Sequence, residues 1–286
     1  MKRILLTYML LAICCVLSAQ LLYEVSGNGL IKPSYLFGTH HAVAVSKIVE
    51  MPGVFRSFND CDAVIGEFID ENPEEMQHQV LMASRMEQSI FDLLDKSDVA
   101  LVDSALIAEL GLSLSVMEHM RPNVIAMIYE LTMRERLVGQ KADDMSVDTY
   151  FQVAAAELGK SVYGLETLEQ QLDMLLRSIS LERQAKILVE TIRLADKTKE
   201  ITLEIENAYA NGDIDALYDI LLKDEGMTEA EKFLFVDERN QEWMPIIEKY
   251  MKYESCFIAV GALHLPGKEG LINLLRKAGY KVKAVK

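Results

Sequence analysis

The sequence predicts an α/β protein with a central, mostly parallel sheet, an N-terminal hairpin and a large helical middle region. Short apolar runs bounded by glycine and polar residues recur along the chain, as is typical of buried strands. The dipeptide Asn28-Gly29 lies between the first two runs and favours a tight turn. Long stretches rich in Leu, Met, Ala and Glu separate the later runs and favour helix. Strands alternating with helical stretches indicate a parallel sheet.

The N-terminus has the layout of a secretory signal peptide over residues 1–19. Lys2 and Arg3 precede a nearly unbroken apolar run, and small residues stand just before Gln20. The run is shorter than the ~20 residues that a transmembrane helix requires. We therefore expect export to the periplasm or the extracellular space, with no stable membrane span after cleavage. An uncleaved membrane anchor is the alternative interpretation.

Residues 20–286 are expected to form one domain, because no internal repeat, low-complexity segment or flexible linker interrupts them. The formal net charge is −15, and lysine and arginine do not cluster. A strongly negative protein repels phosphate backbones, so nucleic acid is not an expected partner.

The predicted elements follow one another with few breaks. Pro73 and Pro122 are expected in the first turns of helices. The predicted strands and helices are strands 23–25, 35–37 and 61–67, a mainly helical stretch 74–160, a strand 161–165, a second helical stretch 168–250, a strand 256–260, a helix 271–278 and a strand 280–285.

Two cysteines, Cys61 and Cys256, lie outside the predicted signal peptide. Each stands at the start of a predicted strand. They could pair across neighbouring strands in an oxidising compartment, or they could serve as small buried apolar residues. Both interpretations are compatible with the sequence.

Four apolar strands end close to a polar side chain that can bind a metal ion: His41, Glu67, Glu166 and His264. In α/β sheets, sites form at the carboxyl ends of strands because the loops converge there. We therefore expect these four side chains to lie in one pocket.

Two of the strand ends share the pattern Gly-x-x-His, which starts at Gly38 and at Gly261. The glycine lets the backbone leave the strand sharply, so that the imidazole can face the sheet edge. Two of the five histidines in the chain, His41 and His264, occupy these positions. His40 could be the ligand instead, or could support one. The alternative is that both histidines make ordinary structural hydrogen bonds.

Imidazole and carboxylate are the usual ligands of zinc-, manganese- and cobalt-like ions, and this set favours an open catalytic site. Glu67 follows a very apolar strand, so its carboxylate is expected beside buried surface. A carboxylate in such a place requires a hydrogen-bonding or oppositely charged partner. Glu166 could instead stand in the first turn of the next helix, where negative charge is favourable. A bound ion would lower the pKa of water toward ~7 and polarise a carbonyl group. A remaining carboxylate could then act as general base.

Several longer motifs resemble the TraB/GumN family, which includes the Tiki-type metalloproteases. The resemblance extends in order over nearly all of the chain after residue 19. The matching segments are Tyr-Leu-Phe-Gly-Thr-His-His at 35–41, Ile-Gly-Glu at 65–67, Gly-Leu-Glu-Thr-Leu-Glu-Gln-Gln-Leu at 164–172, Arg239-Asn240, and Val-Gly-Ala-Leu-His-Leu-Pro-Gly-Lys-Glu-Gly-Leu at 260–271.

The resemblance implies a compact α/β fold and a divalent metal, manganese or cobalt rather than zinc, held by His41, His264 and Glu67. It also implies peptidase activity on secreted proteins. Further positions that match family motifs are Glu166, Gln171, Arg239 and Asn240. Arg239 could hold a substrate carboxylate or a developing oxyanion, or could form an ordinary ion pair.

Two functional hypotheses follow. The first is an exported metal-dependent hydrolase, a metallopeptidase acting on a peptide or protein substrate, with Glu67, Glu166 and Arg239 as its catalytic residues. The second is a non-catalytic protein of the same fold that uses the pocket to bind a ligand or partner. A serine hydrolase is disfavoured because the Gly-x-Ser-x-Gly motif is absent from the sequence.

Overall fold

The computed structural model describes residues 20–40, 43, 45–49, 51–69, 72–139, 145–223 and 226–285. The predicted signal peptide and His41 therefore lie outside the described residues. The strands are β1 Leu22–Ser26, β2 Ser34–Thr39, β3 Ala63–Gly66, β4 Ser161–Gly164, β5 Cys256–Gly261 and β6 Lys281–Ala284.

Most helices lie between β3 and β5, as predicted, and a π-helix, Phe233–Glu238, connects two of them. Short 3₁₀ turns cover Val45–Lys47, Ile90–Asp92, Leu114–Met117 and Ala262–His264. The α-helices are α1 Val54–Asp60, α2 Pro73–Ala83, α3 Lys96–Leu110, α4 Pro122–Val138, α5 Val147–Glu157, α6 Leu168–Arg177, α7 Leu181–Arg193, α8 Ala195–Ala210, α9 Ile214–Lys223, α10 Glu229–Lys232, α11 Arg239–Tyr253 and α12 Leu271–Lys277.

The six strands form one mixed sheet in the order β4-β3-β5-β2-β1-β6. Strands β2, β3, β4 and β5 run parallel, whereas β1 is antiparallel to both β2 and β6. Asn28 and Gly29 turn the chain between β1 and β2 with positive φ angles of 46° and 86°. The predicted fold class is therefore confirmed, including the N-terminal hairpin.

The main core lies on the sheet and is rich in aromatic side chains. Phe151 of α5 is fully buried, and its ring centroid lies 4.7 Å from that of Phe257 in β5. Phe37 and Phe58 contact the same two rings. Strands β3 and β5 are buried along almost their whole length, because helices cover both faces of a parallel sheet.

The helical middle region has a second apolar cluster, which joins helices on either side of β4 in the sequence. Val102 and Leu106 of α3, Ile125 of α4 and Leu188 of α7 are fully buried there. Helices α2 and α4 begin at Pro73 and Pro122, as predicted. Among the described residues, none of the helices combines the length and apolar character needed to span a membrane.

Both cysteines are buried and free. Burial raises the pKa of the Cys61 thiol to about 11, so this thiol stays protonated at neutral pH. Of the two interpretations, the described structure therefore contains the small buried residues and not the disulfide.

The carboxyl ends of β2, β3, β4 and β5 lie at one edge of the sheet, because these strands are parallel neighbours. Gly38 near the end of β2 is packed tightly against the segment after β5. A Cβ atom on Gly38 would lie 3.0 Å from the Cα atom of Ala262 and 3.2 Å from the side chain of Leu265. The two Gly-x-x-His segments therefore begin side by side, and a larger residue at position 38 would force them apart.

We expect Phe151→Ala to lower the free energy of unfolding by about 3–5 kcal/mol, since it removes a ring from the centre of the aromatic cluster and leaves a cavity. Urea denaturation followed by far-UV circular dichroism measures this change. Phe91→Ala is the control. Because the Phe91 side chain is 39% exposed, its removal should lower the free energy of unfolding much less. Equal losses for the two variants would contradict the proposed core.

Candidate functional site

Glu67 directly follows β3 and is buried, with 6% of its surface exposed. Its Oε1 atom accepts a hydrogen bond of 2.8 Å from the backbone N–H of Gly261 at the end of β5. Its Oε2 atom accepts from Gln171 Nε2 at 3.0 Å and from Arg239 Nη2 at 2.7 Å. Donors from β5, α6 and α11 therefore fix the position of this carboxylate.

Arg239, the first residue of α11, joins Glu67 to a second carboxylate. It binds Glu166 through two hydrogen bonds, Nη2 to Oε1 at 2.6 Å and Nε to Oε2 at 3.2 Å. Burial lowers the pKa of the Arg239 guanidinium, but the hydrogen bonds to Glu166 and the charge of Glu67 outweigh it, and the net pKa shift is upward. Arg239 is therefore a permanent buried cation between two carboxylates.

His264 lies in the 3₁₀ turn after β5 with a defined tautomer. Its Nδ1 atom is 2.8 Å from Asn240 Oδ1. Asn240 Nδ2 donates to the carbonyl groups of His264 and Glu269, at 3.1 and 3.0 Å, so its oxygen must face the ring. The proton therefore lies on Nδ1, and Nε2 carries the lone pair. Nε2 lies 3.9 Å from Glu67 Oε1 and 3.1 Å from Arg239 Nη1.

The π-helix Phe233–Glu238 immediately precedes the two functional residues of α11. Single π-helical turns often occur at functional sites, since they change the direction of the side chains that follow. Arg239 Nη1 donates to the carbonyl of Phe235 in this turn at 3.3 Å. With that bond, all five N–H groups of Arg239 have an acceptor.

His40 follows β2 and contacts a different set of side chains. Its ring packs edge-on against Tyr209, and its Nε2 atom is 3.9 Å from Glu206 Oε1. Glu206 is also bound by the buried Arg134 of α4, with Nη2 at 2.6 Å. Beside them, Thr39 donates a hydrogen bond to Asp148. His40 thus lies next to a second ion pair, at the carboxyl end of β2, which is adjacent to β5.

The structure brings most of the predicted residues into one hydrogen-bonded network, and their catalytic roles stay predictions. His40 has the contacts described above, and His41 lies outside the described residues. The members of this network, which we call the Arg239 network, are Glu67, Glu166, Gln171, Arg239, Asn240 and His264.

Trp243 belongs to this site but was not predicted from the sequence. Its ring lies 4.4 Å from that of His264 and 4.5 Å below the guanidinium of Arg239, and its Nε1 atom donates to Glu166 at 3.3 Å. Two signals could have identified it: it is the single tryptophan of the chain, and it lies one helical turn after Arg239, on the same face.

The donors fit a divalent cation in their chemistry. A neutral imidazole nitrogen and a carboxylate oxygen, His264 Nε2 and Glu67 Oε1, face each other at 3.9 Å, close to the ~3–4 Å separation that ligands of one ion adopt. Asn240 binds the other ring nitrogen, as hydrogen-bonding partners of metal-binding histidines do. Among the described residues, no group of three or more His, Cys, Asp or Glu is placed to hold an ion.

Arg239→Gln should lower the free energy of unfolding at pH 7 by about 3–5 kcal/mol, because it leaves the buried carboxylate of Glu67 and the mostly buried carboxylate of Glu166 without their cation. The uncompensated charge favours proton uptake by the folded variant. Its stability relative to the parent should therefore rise as the pH falls toward ~4, near the ordinary pKa of glutamate. Urea denaturation at a series of pH values measures both effects.

The control for this experiment is Arg193→Gln. Arg193 pairs with Asp98 at 2.7 Å, but its side chain is 61% exposed, so the loss should be below ~1 kcal/mol. A deficit in Arg239→Gln that stays constant from pH 7 to pH 4 would show that Glu67 and Glu166 do not depend on this cation.

A model of the TraB/PrgY/gumN family matches residues 21–284, which is nearly the whole chain and includes every member of the Arg239 network. The comparisons with curated proteins and with solved structures gave no match. On the family match, the chain belongs to the TraB/PrgY/gumN family.

Proposed function

We propose that this protein is a metal-dependent hydrolase that cleaves peptide bonds. The observation that carries the proposal is the pair of donors formed by His264 Nε2 and Glu67 Oε1, 3.9 Å apart and each fixed by hydrogen bonds. Asn240 directs the imidazole lone pair inward, and the backbone of Gly261 holds the carboxylate oxygen. Such orientation before binding is what a catalytic metal site requires.

The charges of the site favour a cation. Among the described residues of the Arg239 network, the buried carboxylate of Glu67 and the mostly buried carboxylate of Glu166 face one guanidinium, so the network has a net charge of −1. A buried net charge is unfavourable, and a further positive charge would compensate it. We propose that His264 and Glu67 hold a divalent ion together with His41, which the sequence pattern adds to the set. When bound, such an ion polarises a substrate carbonyl and lowers the pKa of water.

Arg239 and Glu166 have distinct roles in the proposal. One Nη1–H group of Arg239 is accepted by His264 Nε2, and it becomes available when that nitrogen binds an ion. This N–H group can then hold an oxygen that gains negative charge during the reaction. Glu166 fixes the guanidinium through two hydrogen bonds and is the remaining carboxylate that can accept a proton.

The preference for Mn²⁺ or Co²⁺ over Zn²⁺ rests on the family resemblance. The proposal that the protein is exported rests on the composition of residues 1–19, which begin with basic residues and continue as an apolar run. An exported peptidase would meet secreted or cell-surface proteins as substrates.

We expect His41→Ala and His264→Ala each to abolish Mn²⁺ binding and Mn²⁺-dependent cleavage, because each removes one of the proposed ligands. Metal content after dialysis and cleavage of a mixed peptide library, read by mass spectrometry, provide the two measurements. His78→Ala and His119→Ala are matched controls, since both side chains are exposed and outside the Arg239 network. They should retain binding and cleavage.

Two outcomes would contradict the proposal. If His264→Ala binds Mn²⁺ as the parent does, the donor pair is not a metal site. If the parent binds Mn²⁺ or a peptide but cleaves nothing in the library, the protein uses its pocket only for binding, which is the alternative function.

A further inference from the structure

A groove leads from the surface to the Arg239 network. Its volume is about 460 Å³, within the range typical of ligand pockets. Leu165 and Trp243 lie at its floor and are almost fully buried, whereas Met174, Leu234 and Ile246 line its walls and are partly exposed. The groove therefore offers apolar contact area directly beside the candidate site.

One wall of the groove is a single stripe on the π-helix and α11. Its residues are spaced four apart, at Leu234, Glu238, Glu242 and Ile246, and residues at this spacing share one face of a helix. The opposite wall comes from α6, with Asp173 and Met174. An extended peptide segment bound between the two walls would lie over the floor of the groove, where Arg239 is located.

The stripe has two exposed carboxylates between its two apolar ends. Neither Glu238 nor Glu242 forms an ion pair within the described part of the chain. Asp173 across the groove is already paired with Arg177, and the charge of Arg239 at the floor is compensated by its own carboxylates. Besides the net charge of −1 of the Arg239 network, the groove therefore has uncompensated negative charge on its wall, from Glu238 and Glu242.

We propose that this groove binds the side chain of a lysine or arginine residue in the peptide substrate of the neighbouring site. Such a side chain combines a long apolar stem with a positively charged end. The charged end matches Glu238 and Glu242, and the stem matches the apolar side chain one helical turn beyond them, either Leu234 or Ile246. An acidic substrate residue would be repelled by the same carboxylates. The inference rests on the proposed function, because it assigns the groove to the substrate of that site.

The chain provides its own reporter for the test. Trp243 is the single tryptophan and lies at the floor of the groove, so its fluorescence responds to occupation. Three capped octapeptides are titrated that differ only in a central lysine, norleucine or glutamate. Divalent ions are omitted and a chelator is present, so that binding is measured without turnover.

We expect the lysine peptide to bind about threefold to tenfold more tightly than the norleucine peptide, as two exposed ion pairs would give, and the glutamate peptide to bind most weakly. Glu238→Gln/Glu242→Gln should reduce the affinity for the lysine peptide to that for norleucine and leave the norleucine peptide unchanged. Glu200→Gln/Glu204→Gln is the matched control. It removes the same charge from exposed positions of α8, which does not line the groove.

If the unmodified protein binds the lysine and norleucine peptides with equal affinity, the inference is wrong, whatever the variants show. An unchanged lysine preference in Glu238→Gln/Glu242→Gln would overturn it as well. Adding Mn²⁺ in excess of the chelator afterwards tests the proposed function separately. If the lysine peptide binds more tightly but no peptide is cleaved, the groove assignment stands and the hydrolase proposal fails.

Discussion

The buried ion pairs of Arg239 are the interaction on which the rest of the site depends. They connect the residue after β3, the second residue after β4 and the start of α11, which are remote from one another in sequence. Desolvation of three charges is costly, and the cost is offset only because each N–H group of the guanidinium has an acceptor. The positions of Glu67 and Glu166 are thus set by charge compensation as much as by the backbone.

His264 is controlled from the same helix by a neutral residue. Asn240 follows Arg239 directly, yet it binds the imidazole and two carbonyl groups while Arg239 binds the carboxylates. Two adjacent residues therefore fix the two kinds of donor that face each other across the site. Because Asn240 is fully buried, its hydrogen bonds do not compete with water, and the tautomer of His264 is insensitive to solvent.

The fold and the strand-end residues could be predicted because their signals are local. The runs before Glu67 and His264 are short, apolar and bounded by glycine, and parallel strands bring their carboxyl ends together. The two carboxylate partners of Arg239 could not be predicted, since an arginine in a helical stretch has no local signature for a buried contact. His40 shows the same limit: its contacts with Tyr209 and Glu206 come from a helix more than 160 residues away in the sequence.

The π-helix before α11 makes the length of this segment a structural constraint. Loss of one residue between α10 and α11 would convert the π-helical turn to an ordinary α-helix, and each residue of an α-helix corresponds to a rotation of ~100° and a rise of ~1.5 Å. Because a π-helical turn holds one residue more than an α-helical turn, that single loss would leave the orientations of α10 and α11 nearly unchanged. An insertion or a longer deletion would instead rotate the two helices relative to each other by ~100° per residue. Side-chain replacements in Phe233–Glu238 leave this geometry in place, so the segment should tolerate changes of residue type much better than insertions or longer deletions.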